Sequence, residues 1–308
     1  MAPWWALEID RMQRLPHLVV LAMLAAASLG AQAQTLGRIE RSSTLTVAYR
    51  DGAMPFSYVL PGQKEPVGLA IDLCKEIAQG LKRDLNLHDL RIRYVAVPAA
   101  EAIHAIQQGK ADIECSSTTD TRQRREEVSF SHHHFYAGVQ LMTRVNAGVK
   151  DWKDIAKRSV TVTAGTSARD VLARHKLTKD LKFNVIEGAD FAESFRHLNN
   201  GKADAWALEN VLLVGMRASD RNPRAWEIVG EQLSVEPYAL MFKKGDADFQ
   251  RAVNKELERI FQSGEYQKMY ERWFMQPIPP RNVNLKLEPG ALLRAQMRRP
   301  KSVIPDWN

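Results

Sequence analysis

Two polar segments and two charged side chains carry the chemistry that this sequence shows most directly. Ser116-Ser117-Thr118-Thr119 sets hydroxyls in a row, and Arg124 follows shortly after. Hydroxyls and backbone groups close to a guanidinium suit a carboxylate, which arginine holds through paired, charge-assisted hydrogen bonds. Glu209 supplies the opposite charge, an acceptor for an ammonium group. Gly165-Thr166-Ser167 lies between the strand-like run Val160-Thr161-Val162-Thr163 and a helical stretch at 168–177. Its N–H groups therefore stand at a helix N-terminus, where an anion can be capped. Together these groups could grip a small zwitterion. Each has a plainer use as well: Arg124 sits in the charged run Arg122-Gln123-Arg124-Arg125-Glu126-Glu127, and Thr-Ser before a helix is an ordinary N-cap. What brings the segments together decides between the two readings.

Other chemistries lack their marks. There is no Walker A loop, no His-Glu-x-x-His and no Gly-x-Ser-x-Gly, the signatures of nucleotide hydrolysis, zincin and α/β-hydrolase chemistry. His132-His133-His134 is the densest group of metal-binding side chains, but in an extended segment only His132 and His134 share a face. No other Cys/His cluster adds ligands, so neither a metal nor a cofactor is expected.

An internal echo shows which secondary structure holds these groups. Ile103-His104-Ala105-Ile106-Gln107-Gln108-Gly109-Lys110-Ala111-Asp112 is matched 92 residues later by Phe195-Arg196-His197-Leu198-Asn199-Asn200-Gly201-Lys202-Ala203-Asp204. In each copy apolar residues at helical spacing run into a glycine C-cap, and a short strand follows. Another strand-like run precedes each helix, at 92–97 and 183–186. The pattern is β-α-β twice, which predicts an α/β protein of two units with mostly parallel sheets. Ligands of such sheets sit beyond the carboxyl ends of the strands. Here those ends are the loops after Cys115 and Leu208, so two facing lobes would enclose a cleft.

Composition agrees with a folded chain of two ordinary domains: 308 residues, 45% apolar, 26% charged and 8% aromatic. The charge is 43 − 36 = +7, with a pI near 9.4. The basic residues are scattered rather than blocked, which speaks against a nucleic-acid partner. The longest apolar run, 18–29, is shorter than the roughly 20 residues a membrane helix needs. With Arg11 and Arg14 before it and Ala31-Gln32-Ala33 after it, the run reads as a secretory signal peptide, 1–33, cleaved after Ala33. Glu8 and Asp10 are unusual in such an n-region, and Met12 offers an alternative start. Removing 1–33 leaves 41 − 34 = +7, so the basic character belongs to the mature chain. Export places the protein in an oxidising compartment, where an even cysteine count favours a bridge between Cys74 and Cys115. Cys74 lies on a helical stretch, 68–81, whose Leu69, Leu73, Ile77 and Leu81 form one buried stripe; Cys115 ends an alternating, strand-like segment.

Glu114-Cys115-Ser116-Ser117-Thr118-Thr119 with Arg124, Gly165-Thr166-Ser167, Glu193-Ser194-Phe195-Arg196, Pro237-Tyr238 and Pro277-Ile278-Pro279-Pro280 occur in an order that resembles the periplasmic glutamate/aspartate-binding proteins of ABC importers, within the polar amino-acid solute-binding family. The resemblance covers about 38–285. It implies a two-lobed type II periplasmic binding fold, each lobe a mixed sheet flanked by helices. Lobe 1 would be 35–135 plus 237–285, lobe 2 136–236, and 286–308 a tail, with crossovers near Phe135-Tyr136-Ala137 and Ser234-Val235-Glu236. The implied function is capture of an amino acid by cleft closure and delivery to an inner-membrane ABC permease, without bond chemistry and as a monomer. Carried over, Arg124 would hold the ligand α-carboxylate with the Ser167 N–H and Thr166. The Ser117 carbonyl, the Thr119 hydroxyl and Glu209 would take the α-ammonium, and Arg50 would face the ligand side chain.

The sequence departs from that family where the side chain of an acidic ligand would be bound. Glu209 replaces the usual aspartate, and Ala99, Ala102 and Phe191 stand where glutamate/aspartate binders carry serine, arginine and histidine. A buried carboxylate needs paired donors. L-glutamate and L-aspartate are therefore expected to bind no better than a neutral or larger polar amino acid, whose methylenes or planar group Phe191 can cover. Two alternatives share the fold: an enzyme resembling the cyclohexadienyl/arogenate dehydratases, with Glu209 as general acid or base, and a sensor's binding module. The chain beyond Pro277, proline-rich and basic, is expected to pack as irregular chain or to fray.

Overall fold

The computed structural model describes residues 34–300; the expected signal peptide, 1–33, and residues 301–308 of the expected tail lie outside them. The first seven strands are β1 Thr44–Tyr49, β2 Tyr58–Val59, β3 Pro66–Val67, β4 Arg91–Ala96, β5 Ile113–Glu114, β6 Val128–Ala137 and β7 Val139–Arg144. The chain continues through β8 Ser159–Thr163, β9 Asn184–Gly188, β10 Ala205–Glu209, β11 Trp226–Val229, β12 Glu236–Lys243, β13 Pro277–Ile278 and β14 Val283–Asn284. Ten of these form two five-stranded sheets, ordered β4-β1-β5-β12-β6 and β11-β7-β10-β8-β9, while β2/β3 and β13/β14 are small hairpins. The chain leaves the first sheet at Gly138 and comes back through 230–235, so that Glu236 at the start of β12 lies beside Ala137 at the end of β6.

The repeated Gly-Lys-Ala-Asp segments fold alike because each ends one helix and starts one parallel strand. β1 pairs in parallel with β4 and β5, and β8 pairs in parallel with β9 and β10. Gly109 and Gly201 take φ of +68° and +72°, the left-handed turn that stops a helix and that glycine adopts without strain. The aspartate then reaches across to the first strand of its unit. Asp112 Oδ2 accepts the Thr46 N–H at 2.7 Å, and Asp204 Oδ2 accepts the Ser159 N–H at 2.8 Å. Two antiparallel additions to each sheet, β12 and β6 in one and β7 and β11 in the other, make both sheets mixed.

Helix Leu69–Asp84 buries Leu69, Leu73, Ile77 and Leu81 against the first sheet, as their spacing requires. Each such side chain contributes about 1.5–3 kcal/mol on burial. Cys74, on the same helix, is joined to Cys115 with Cα atoms 6.4 Å apart, which ties the helix to the strand end that launches the hydroxyl loop.

The chain beyond Pro277 corrects an expectation. It forms the β13/β14 hairpin and a helix, Ala291–Arg298, that buries Leu293 and Gln296. Gln296 Nε2 donates to the His133 carbonyl at 2.9 Å, and the Tyr136 hydroxyl donates to Gln296 Oε1 at 3.3 Å. The segment is a run of strong helix formers between Gly290 and Pro300, and its proline flanks hid that propensity. Among the described residues no helix is long and apolar enough to cross a membrane.

Candidate functional site

Arg50 follows β1, the loop 115–121 follows β5, helix Ser167–Thr178 follows β8, and Glu209 ends β10. All four stand at the carboxyl ends of parallel strands, where the topology of open α/β sheets places ligands. The two sheets present these ends to each other.

The hydroxyl loop is buried from Ser116 through Asp120. Arg50 lies against it, Nη1 donating to Ser117 Oγ at 3.3 Å and Nη2 to Thr118 Oγ1 at 2.9 Å. Behind them Glu114 accepts from the Thr118 hydroxyl at 3.0 Å and lies 3.6 Å from Arg50 Nη2. Burial raises the Glu114 carboxyl above its ordinary range, with Arg50 pulling it back. The Arg50 guanidinium also lies 5.7 Å from the Phe191 ring centroid, a cation–π contact across the cleft. His133 and Arg125 hold the base of the loop through Asp120, at 2.9 and 2.7 Å. The histidine run is dispersed: His132 pairs with Glu258, His133 with Asp120, and His134 is buried.

Arg124 spans both lobes. Thr121 caps its short helix, Nη1 donates to the Thr119 carbonyl at 2.8 Å, and Nη2 donates to the Gly165 carbonyl at 2.9 Å. Gly165 has φ +73°, and a Cβ there would lie 2.4 Å from the Ala100 backbone, so only glycine lets the lobes approach this closely. Ser167, the first residue of its helix, stands at the meeting point. Its Oγ is 3.1 Å from Thr119 Oγ1, 3.2 Å from Glu209 Oε1 and 2.7 Å from Glu236 Oε2. The Thr166 hydroxyl turns back to the Thr163 carbonyl at 2.8 Å. Burial first, then repulsion from Glu236, pushes the Glu209 carboxyl up to about 7, against the pull of Arg50 and Arg124.

Four polar atoms of this cluster are buried without a hydrogen-bond partner among the described residues: Arg50 Nε, Glu114 Oε2, Glu209 Oε2 and the Tyr238 hydroxyl. A buried group left unpaired costs about 1–3 kcal/mol. Their concentration at one place marks where a polar ligand has bonds to make.

Two cavities flank the cluster. One of about 300 Å3 is lined by Arg50, Asp51, Ala99, Thr163, Asp190 and Phe191 among others. A smaller one, about 140 Å3, is lined by Arg124, Gly165, Thr166, Ser167 and neighbours. Of the residues expected from sequence, Arg50 and Phe191 thus face one cavity and Arg124, Thr166 and Ser167 the other. Ser117, Thr119 and Glu209 are buried in the hydrogen-bonded set that connects them. Ala102 is a correction: it packs with Ala105 and Ile106 in a small hydrophobic cluster and does not line the larger cavity. Sequence reasoning missed Asp51, Asp190, Glu236 and Tyr238. Asp51 takes the Val59 N–H at 3.0 Å and Asp190 caps the helix that Phe191 starts, and both line the cavity with Arg50. The neighbours Arg50 and Phe191 were the only hints of these two, while Glu236 was read as a crossover residue alone.

Residues 45–276 match the model of a family described as bacterial extracellular solute-binding proteins, family 3. The L-glutamate/L-aspartate-binding protein of Pseudomonas aeruginosa is 35% identical over 92% of this chain and 94% of its own. The glutamate/aspartate import solute-binding protein of Escherichia coli is 32% identical, over 93% of this chain and 97% of its own. Among solved structures, an ancestral arginine-binding protein bound to arginine superposes with a TM-score of 0.67 at 30% identity, covering 75% of this chain and 98% of that one.

Proposed function

The chain belongs to the bacterial extracellular solute-binding proteins of family 3, and from that membership and the geometry of the cleft we propose that it captures one amino acid between its lobes and delivers it to an ABC permease of the inner membrane. It has the two-lobed type II periplasmic binding fold, and it acts by binding and closure, without bond chemistry. The lobes are taken as 35–135 with 237–285 and 136–236. The mature protein starts at Gln34, after cleavage behind Ala33, and works as a monomer.

One observation carries the reading: Arg124, the start of helix Ser167–Thr178 and the unpaired Glu209 Oε2 belong to one hydrogen-bonded cluster shared by both lobes. A ligand α-carboxylate would take the two Arg124 N–H groups now held by the Thr119 and Gly165 carbonyls, together with the Ser167 N–H. Its ammonium would meet Glu209, the Thr119 hydroxyl and the Ser117 carbonyl. The side chain would extend into the larger cavity between Arg50 and Phe191.

That cavity is poorly suited to an acidic side chain. Arg50 is already paired with Glu114, and Asp51 and Asp190 add two carboxylates at the walls. Ala99 and Phe191 supply apolar surface and no donor. A neutral or larger polar amino acid fits this lining better than glutamate or aspartate, the ligands named for the Pseudomonas and Escherichia relatives. A thermal-shift panel of the twenty L-amino acids tests both parts. A good ligand at a hundred times its Kd adds about 2.7 kcal/mol, which at this size raises the Tm by about 5–10 °C. Glutamate or aspartate giving the largest shift by a clear margin would overturn the side-chain preference, and no shift with any amino acid would overturn the binding reading.

A further inference from the structure

At the inner edge of the cleft two carboxylates share one hydroxyl. Ser167 Oγ lies 2.7 Å from Glu236 Oε2 and 3.2 Å from Glu209 Oε1, and it has a single proton to donate. Both glutamates are 2% exposed. The neighbouring Thr119 hydroxyl, 3.1 Å from Ser167 Oγ, adds one more donor to the same set, yet Glu209 Oε2 still has no partner among the described residues.

The charges facing Glu209 from each packed element do not balance. Glu236 on β12 and Glu114 on β5 bring carboxyl groups; Arg124 and Arg50 bring guanidiniums; the Tyr238 hydroxyl on β12 is buried and kept neutral by that burial. Arg50 is engaged by Ser117, Thr118 and Glu114, and Arg124 by two backbone carbonyls. With Arg50 on Glu114 and Arg124 on carbonyls, an ionised Glu209 would stand beside Glu236 in a dry site with no guanidinium donating to it, and burying an uncompensated charge is costly. One proton removes the imbalance. So does one ligand ammonium group.

We propose that Glu236 is a positioning residue of the ammonium subsite: through Ser167 and its own charge it makes Glu209 hold a proton while the cleft is ligand-free, and that proton is given up to solvent when the ammonium of an amino acid takes its place. The exchange balances. A neutral Glu209 carboxyl and a ligand ammonium become a carboxylate–ammonium pair plus one proton in the buffer, so the charge at the Glu209 end is the same before and after, while the ligand α-carboxylate is met separately by the Arg124 N–H groups. The push on the Glu209 carboxyl from burial and from Glu236 agrees with this. Selectivity follows from it. An α-keto or α-hydroxy acid brings no cation, so Glu209 keeps its proton and the binding of such an acid releases none.

The inference rests on the amino-acid reading of the cleft, and two measurements keep their failures apart. Titration calorimetry with L-glutamine and with L-glutamate, in two buffers of different ionisation enthalpy, should show nearly one proton released per ligand bound at pH 6 and almost none at pH 8. Affinity should fall about tenfold per unit as the pH drops below 7. Glu236→Gln should flatten that profile, and Glu236→Asp should restore it, which a merely structural role would not do. Independently of any ligand, carbon-13 NMR of the glutamate carboxyls should place Glu209 titration near neutrality and move it down in Glu236→Gln. Binding without proton exchange at either pH, or Glu209 titrating as an ordinary carboxylate, overturns the inference and leaves the binding reading intact. Failure of every amino acid to bind overturns that reading, while the ligand-free titration still decides the proton.

Discussion

Truncating Arg124 to alanine removes a side chain that donates to backbone carbonyls on both sides of the cleft, at 2.8 and 2.9 Å. A paired, charge-assisted contact to a ligand carboxylate is worth about 1.5–3 kcal/mol, and a buried carboxylate left without its partner costs about 3–5. Affinity should therefore fall between about tenfold and several thousandfold. Stability should change far less. The side chain is only half-buried, and the two carbonyls it leaves, at about 1 kcal/mol each, can turn to water; the loss of about 2 kcal/mol is small beside a typical 5–15 for a folded domain. Arg124→Lys keeps the charge but not the fork, so it should fall between the two proteins. Calorimetry with the amino acid giving the largest thermal shift measures the affinities, and unfolding without ligand measures the fold. Near-normal affinity in a folded Arg124→Ala protein would remove Arg124 from the site.

Four further outcomes are expected. Gly165→Ala puts a Cβ 2.4 Å from the Ala100 backbone on the facing lobe and strains φ +73°, so it should weaken ligand binding at least about tenfold by opposing closure, visible as a larger radius in ligand-bound scattering; unchanged affinity and radius would mean the lobes do not close this far. The Glu209 carboxyl, raised from 4.5 to about 7, binds its proton more tightly folded than unfolded, so its contribution to ligand-free stability is largest below about pH 4.5 and is lost as the pH rises through 7. The swing is about 3 kcal/mol, and Glu209→Gln should remove it; thermal unfolding from pH 5 to 8 that declines equally in both proteins would contradict the shift. Closing a loop of 41 residues, the Cys74–Cys115 bridge should stabilise by about 4 kcal/mol, so reduction should lower the Tm, and two freely alkylated thiols in denatured, unreduced protein would exclude the bridge. Phe191→His supplies a donor beside Arg50 and should shift preference toward glutamate in the same amino-acid panel, whereas an unchanged ranking would remove Phe191 from the specificity wall.

Much of this protein was legible in its residues because the signals are local. The helix at 69–84 followed from a stripe of Leu69, Leu73, Ile77 and Leu81, and the two β-α-β units from repeated Gly-Lys-Ala-Asp, whose glycine and aspartate act within one turn and one strand pairing. Arg124, Ser167 and Glu209 could be singled out because their charge or helix-end position has meaning before the chain folds. The tail helix was missed because proline outweighed the propensity of the residues between its flanks. Only the tertiary structure decided that Ala102 turns into the core, that Glu114 lies behind Arg50, and that Asp51 and Asp190 wall the same cavity. The distance between Glu209 and Glu236 is of the same kind. They are 27 positions apart, on different strands, and share Ser167 from a third element. Sequence counts charges, but their energies depend on separation and on how much water is excluded, and both quantities exist only once the lobes have packed.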